Sequence, residues 1–226
     1  MTVHVITGTD TGVGKTIVTA VIAAAMRARS RSVAVVKPAQ TGVGSGDSGD
    51  VGEVCRLAGT LDVLEGIRLP DPLAPDRAAA VSGVALPSLS EQRDLVLGAV
   101  ESHDVVLVEG AGGIAVRLGE TFTLLDIAGE VQTAGADVRW VVVVGAQLGT
   151  LNHSTLTVHA IQQRGFVVDG LVIGCWPIEP GPAERFNRVD LASYTGVPVL
   201  GAIPCGAGSL DPHDFRSLAP SWLPSF

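Results

Sequence analysis

Gly8-Thr9-Asp10-Thr11-Gly12-Val13-Gly14-Lys15-Thr16 is the stretch whose reading decides the fold. It stands between an apolar run, Val3–Thr7, that reads as a strand, and Thr16–Arg29, that reads as a helix. A phosphate-binding loop needs glycines so that successive backbone N–H groups can wrap an anion. It needs a lysine to reach the β- and γ-phosphates and a hydroxyl to bind Mg²⁺. Gly12, Gly14, Lys15 and Thr16 supply those parts. The match to G-x-x-x-x-G-K-[ST] has one departure: Thr9 stands where the first glycine belongs, and Gly8 is one place early. The alternative is a glycine-rich strand-to-helix turn with an incidental lysine, but the flanking elements favour the P-loop.

Working outward, further β-rich runs follow at Val33–Lys37, Val105–Val108, Trp140–Gly145, Gly170–Gly174 and Val197–Ile203. They are continuous apolar runs, as strands of a parallel sheet covered on both faces must be. Helical stretches separate them. Thr16–Arg29 is apolar almost all round and should be buried, with Arg27, Arg29 and Arg31 suiting the negative end of its dipole. Ser88–Glu101 opens on a capping box, Ser88 and Glu91. Asn152–Arg164 and Ala183–Tyr194 are the other candidates. The alternation predicts an α/β fold, one mostly parallel, doubly wound sheet with helices on both faces. The Gly42–Gly49 segment reads as a flexible loop, and Asp71–Asp76 as a surface turn with no helix in it.

Composition narrows the function. The 226 residues carry 15 Lys and Arg against 23 Asp and Glu, a formal charge of −8. That opposes a broad nucleic-acid or anionic-membrane surface, and 4% aromatics are too few for base-stacking platforms. A mean hydropathy of +0.40 permits a sizeable core. No apolar run reaches ~18 residues, so no membrane-spanning helix is expected, and a cleaved leader would remove the P-loop. Cys55, Cys175 and Cys205 are odd in number and widely spaced, which argues against disulfides and a thiolate metal site and for a reducing, cytoplasmic setting. Cys175 and Cys205 are expected as buried or inert thiols. His153 and His159 are six apart and make no helical metal pair.

Three further motifs carry chemistry. In Val105–Gly113, VVLVEGAGG, a buried strand ends in Glu109 and runs into Gly110, Ala111, Gly112 and Gly113. Ligands of open α/β sheets bind at the carboxyl ends of strands, where a carboxylate can hold Mg²⁺ beside a P-loop. In Lys37-Pro38-Ala39-Gln40-Thr41-Gly42, Pro38 is expected to stop the strand and pin Lys37 at the sheet edge. There its ammonium could neutralise charge that develops in phosphoryl transfer. The loop that follows offers Asp47, Asp50 and Glu53. Any of them could bind Mg²⁺, or they could be ordinary acids in a first helical turn. Finally, Gly149, Thr150, Leu151 and Asn152 precede a helix with free N–H groups. They form either an anion site or a plain helix start capped by Thr150 or Asn152.

These segments, with GLVIGCWP and VPVLGAIP near the end of the chain, resemble those of the dethiobiotin synthetases of the biotin pathway, in order and spacing and over nearly the whole length. The resemblance implies that residues 1–226 form a single P-loop NTPase domain working as a homodimer with shared active sites, and that it uses Mg²⁺, ATP as co-substrate, CO₂ and 7,8-diaminononanoate. It implies that Gly12, Val13, Gly14, Lys15, Thr16 and Ile17 bind nucleotide, with Gly110–Gly112 beside them. It implies Thr16, Asp50 and Glu109 as metal ligands, Lys37 as the active-site lysine, and Thr11 and Thr41 as substrate contacts. Gly149–Asn152 would take the substrate carboxylate across the dimer. Gly174, Cys175, Pro204, Cys205 and Gly206 fall where the family holds the nucleobase. Many members carry Asn where Cys175 stands, and a thiol cannot offer a base edge the paired donor and acceptor of an amide. The implied reaction runs through a carbamate and a carbamic–phosphoric anhydride to a cyclic urea. Two rivals fit less well. An amide synthetase of the cobyrinic-acid type carries an added glutaminase domain. A partitioning ATPase carries a further lysine early in the loop, where Asp10 stands.

Overall fold

A computed structural model describes residues 2–44 and 46–226; Ser45 of the glycine-rich loop lies outside them. Seven strands form one sheet: β1 (Thr2–Gly8), β2 (Val33–Thr41), β3 (Asp62–Leu69), β4 (Val105–Gly113), β5 (Asp137–Val144), β6 (Val167–Trp176) and β7 (Val199–Pro204). Their order is β3-β2-β4-β1-β5-β6-β7, and each recorded pairing is parallel. Among the described residues seven α-helices connect them, α1 (Lys15–Ala28), α2 (Gly49–Ala58), α3 (Pro75–Ser82), α4 (Leu89–Ser102), α5 (Leu124–Thr133), α6 (Thr150–Gln163) and α7 (Pro182–Thr195), and α8 (Pro212–Trp222) follows β7.

The alternation of side chains along β1 shows why both faces had to be apolar. Val3 and Val5 join a core with Val96, Ile127, Val158 and Leu191, from α4, α5, α6 and α7. Ile6 points the other way, into a second core with Val21, Val54 and Phe215, from α1, α2 and α8. Helices therefore cover both faces, as expected of a doubly wound sheet. Helix α1 is buried from Val18 to Ala25, matching its all-round apolar sequence. The Ser88–Glu91 capping box opens α4 as read.

The structure corrects several expectations. Strand β2 does not stop at Pro38 but runs on to Thr41. Its pairing with β4 ends at Val36, and beyond that it continues along β3 alone, so a residue without an N–H is tolerated there. Asp71–Asp76 is not free of helix: Pro75 and Asp76 open α3, proline being well suited to a first helical position. The start of α6 is capped by neither Thr150 nor Asn152; Gly149 is its N-cap, at φ 94. Strand β3 was missed because its alternation is weak and only Leu69 in it is fully buried.

The largest correction concerns the cysteines. Cys175 and Cys205 form a disulfide, with Cα atoms 4.5 Å apart, and Cys55 is free. Cys175 is exposed rather than buried. The pair is hidden in sequence because α7 lies between them. In space they close the carboxyl ends of β6 and β7, where Trp176 pairs with Pro204. A link across 30 residues lowers the entropy of the unfolded chain by an amount equivalent to about 3–4 kcal/mol of stability in the chain-entropy model.

Candidate active site

The site sits where β1, β2 and β4 end, in the middle of the sheet. After Gly8 the chain leaves β1 and curls back over Lys15, whose Nζ donates to the Asp10 carbonyl oxygen at 3.0 Å. Gly12 and Gly14 have φ of 75 and 100, the left-handed region that glycine adopts without penalty. Gly14 has a second reason to be glycine: an added Cβ would stand 2.7 Å from the Gly174 carbonyl oxygen. The P-loop is thus braced against the end of β6.

Lys37, 3% exposed, reaches across from β2 to β4. Its Nζ donates to Glu109 Oε1 at 2.8 Å and to the Gly110 carbonyl at 3.1 Å, and pairs with Asp50 Oδ2 at 2.6 Å. Thr16 Oγ1 donates to the same Glu109 oxygen at 3.0 Å. Side chains from four elements therefore form one connected cluster, Asp50 and Glu109 on the Lys37 ammonium and Thr16 joined through Glu109. Of the three acids left open by sequence, only Asp50 reaches this cluster. Asp47 accepts from the Gly44 N–H, and Glu53 pairs with Arg56 on the surface.

The charges hold one another in place. Glu109 is 1% exposed, so its carboxylate depends on the lysine beside it. Burial works to lower the pKa of Lys37 but is outweighed by Glu109 and Asp50, which raise it, so Lys37 is a cation at any working pH. Lys15 shifts the other way: burial first, then the neighbouring Lys37 charge, lower its pKa. An anion arriving beside Lys15 would favour its charged form.

Above them a cleft of about 820 Å³ opens, lined by Thr11, Thr16, Lys37, Thr41, Asp50 and Glu109 among others. Pro72, Leu73 and Val116 add apolar walls that the sequence did not reveal. Gln40 was also missed. It is buried, its Oε1 accepts the Asp50 N–H at 2.8 Å, and it thereby fixes the start of α2 and the place of Asp50. Gln92 of α4 donates to the Pro38 carbonyl at 3.0 Å and supports β2 from behind. Only contact across the fold identifies these two glutamines; no local pattern does.

The donors Thr16, Asp50 and Glu109 suit Mg²⁺: a hydroxyl and two carboxylates are hard oxygen ligands, already gathered around one positive charge. Among the described residues no group of three or more His, Cys, Asp or Glu could hold a metal alone. The ion would therefore be completed by phosphate oxygens, as Mg²⁺ commonly is.

The remaining sequence candidates lie outside this cleft. Gly174–Cys175 and Pro204–Gly206 end β6 and β7 on the far side of the P-loop. Cys205 N–H donates to the Trp176 carbonyl at 2.8 Å, so that donor is already used. Gly149–Asn152 begin α6 beyond β5. Thr150 Oγ1 donates back to the Gly145 carbonyl at 2.7 Å, and Gly149 and Asn152 are exposed.

The chain is similar to known proteins over most of its length. The family described as "AAA domain" matches residues 2–211. A protein of Rhodococcus jostii (strain RHA1), named ATP-dependent dethiobiotin synthetase BioD, is 50% identical over 226 residues, which are 100% of this chain and 96% of that protein. A protein of Streptomyces coelicolor with the same name is 51% identical over 224 residues, 99% of this chain and 92% of the relative. Among solved structures, the septum site-determining protein MinD of Pyrococcus horikoshii OT3 superposes with a TM-score of 0.58 at 15% identity, covering 98% of this chain and 96% of that one. The cell division protein FtsY of Thermotoga maritima gives 0.60 at 18%, covering 96% and 67%. At such identities the two structures establish a shared fold and nothing more.

Proposed function

We infer the chemistry of this chain from one premise: it belongs to the family of ATP-dependent dethiobiotin synthetases. Its activity is that of an ATP-using cyclo-ligase of biotin biosynthesis, acting on small molecules. The finer reading is that residues 1–226, as one P-loop domain in the cytoplasm, convert 7,8-diaminononanoate and CO₂ to dethiobiotin, with ATP giving ADP and phosphate. The observation that carries it is the meeting of Lys37, Asp50, Glu109 and Thr16 beside the P-loop.

One substrate amine attacks CO₂, forming an N–C bond and, after loss of a proton to solvent, a carbamate. A carbamate oxygen attacks the γ-phosphorus and ADP leaves, giving a carbamic–phosphoric anhydride. The second amine attacks the carbamoyl carbon, phosphate leaves, and the five-membered urea ring closes. Lys15 and the N–H groups of Gly12–Ile17 would hold the phosphates, and Lys37 would face the oxygens that gain charge during transfer. Thr16, Asp50 and Glu109 would hold Mg²⁺, which supplies charge neutralisation at the phosphates when bound. Thr11 and Thr41 offer hydroxyls to the substrate. The ends of β6 and β7 would flank the base. With Cys175 in a disulfide, its sulfur offers the base neither a free thiol nor the paired donor and acceptor of an amide.

Asp50→Asn and Glu109→Gln should each raise the Mg²⁺ concentration for half-maximal activity by about tenfold or more, while Asp47→Asn leaves it unchanged. A Mg²⁺ titration of turnover checks this, and equal sensitivity of Asp47 would refute the choice of Asp50.

We further propose a homodimer. Leu148 just before α6, Leu156 within it, and Phe186, Val189 and Tyr194 of α7 are large, exposed apolar side chains, and the two helices pack together. A second copy would cover them and bring its Gly149–Asn152 N–H groups to the substrate carboxylate. Leu151→Pro removes one donor in a helical turn that tolerates proline, and should weaken substrate binding but not nucleotide binding. Mixed with Lys37→Ala protein and allowed to exchange subunits, it should regain up to roughly a quarter of wild-type activity, because each heterodimer then holds one intact site. No recovery despite exchange seen by native mass spectrometry would place the carboxylate site within one chain.

The direct test of the reaction is mass spectrometry of diaminononanoate incubated with bicarbonate, Mg²⁺ and each nucleoside triphosphate in turn. The expected product is substrate plus CO₂ minus water, with ATP among the competent nucleotides. Unchanged diaminononanoate with every nucleotide would reject the reading.

A further inference from the structure

The Cys175–Cys205 disulfide does not belong to the phosphoryl-transfer cluster, yet it closes one wall beside the P-loop. Gly174, one residue before Cys175, packs so tightly on the loop that an added Cβ would lie 2.0 Å from the Val13 carbonyl oxygen. On the other strand, Cys205 leads through Gly206 into the short 3₁₀ turn Ala207–Ser209. Gly208 of that turn packs on Ile17 of α1, and its carbonyl accepts from Arg56 of α2. The bond therefore ties together two segments that each touch the nucleotide loop or its helix. Strands β6 and β7 also pair through their backbones, from Leu171–Val199 to Ile173–Ala202 below the bond and at Trp176–Pro204 beside it. Cys175 is exposed, so an attacking thiolate has access to its sulfur.

We propose that Cys175–Cys205 is a reversible redox site that sets nucleotide affinity, the disulfide form being the tighter binder. A dithiol reductant attacks the Cys175 sulfur and forms a mixed disulfide, releasing the Cys205 thiolate. Its second thiol then frees Cys175 and the reductant leaves as a disulfide. In total, two electrons and two protons pass to the cysteine pair. The oxidised pair holds the ends of β6 and β7 in place before nucleotide arrives. In the dithiol form the nucleotide must order both segments on binding, and affinity falls. This inference rests on the P-loop reading above.

The test uses the full chain in both redox forms. Alkylation in denaturant followed by intact mass should count one thiol, Cys55, in protein equilibrated with oxidised glutathione, and three after treatment with a dithiol. Calorimetry should then give a Kd for Mg-ATP about three- to tenfold higher in the reduced form, restored on reoxidation. The double variant Cys175→Ser, Cys205→Ser should bind at the reduced level under both conditions. Equal affinity of the two forms would overturn the proposal. So would three free thiols after equilibration with oxidised glutathione, or a bond that native-state dithiols cannot reduce. Absence of Mg-ATP binding in both forms would overturn the P-loop reading, and this inference with it.

Discussion

Lys37→Ala is expected to lower kcat by about a hundred- to a thousandfold while changing the KM for nucleotide far less. The lysine is buried and held by Glu109 and Asp50 at 2.8 and 2.6 Å. Its position is therefore set before substrate arrives, and its charge costs no reorganisation when negative charge builds on the transferring phosphoryl group. An interaction realised mainly in the transition state appears in kcat; one made equally with bound ATP appears in KM. The variant also leaves Glu109 buried without its partner, a loss of about 3–5 kcal/mol in stability for a broken buried pair. Circular dichroism and a thermal melt of the variant must accompany the kinetics, so that loss of fold is not counted as loss of catalysis. A rise in KM alone, with kcat preserved, would make Lys37 a binding group and refute the assignment.

The second large effect is expected at the P-loop. Lys15→Ala should abolish turnover to below about a thousandth of wild type, and Thr16→Val should do the same. Unlike Lys37, Lys15 sits inside the loop it serves: its ammonium donates to the Asp10 carbonyl at the turn and stabilises the loop conformation itself. Removing it would cost both the proposed phosphate contact and the hydrogen bond to Asp10 that shapes the loop. Binding of ATP, measured by calorimetry, should therefore fall together with kcat, in contrast to Lys37→Ala. Near-normal product formation by either P-loop variant would refute the phosphate-cradle reading.

Much of this site was legible because its chemistry is local. Glycines at 12 and 14, a lysine and a hydroxyl in succession announce an anion cradle, and a buried strand that ends in Glu109 announces a carboxylate at the sheet edge. Asp50 was legible only with the family pattern beside it. Sequence left it level with Asp47 and Glu53, and what separates them is the Gln40 side chain, ten residues away, which holds the start of α2. Pro38 shows the opposite case, a local rule overridden. Proline ends most central strands, but β4 has already parted from β2 at Val36, so nothing is lost by continuing. Cys175 and Cys205 mark where reading along the chain fails altogether. Their 30-residue separation says nothing of a pairing that depends on β6 and β7 being neighbours in the sheet.

The central claim is that this cluster transfers the γ-phosphoryl group onto a carbamate oxygen. Its most direct test is the fate of oxygen. The protein is mixed with diaminononanoate, Mg²⁺, ATP and ¹⁸O-labelled CO₂, and product and phosphate are analysed by mass spectrometry before the label exchanges with water. Attack by the carbamate oxygen predicts one labelled oxygen in the released phosphate and one in the ring carbonyl, for each ring closed. Ring closure with unlabelled phosphate would show that ATP is cleaved by water, and would contradict the account.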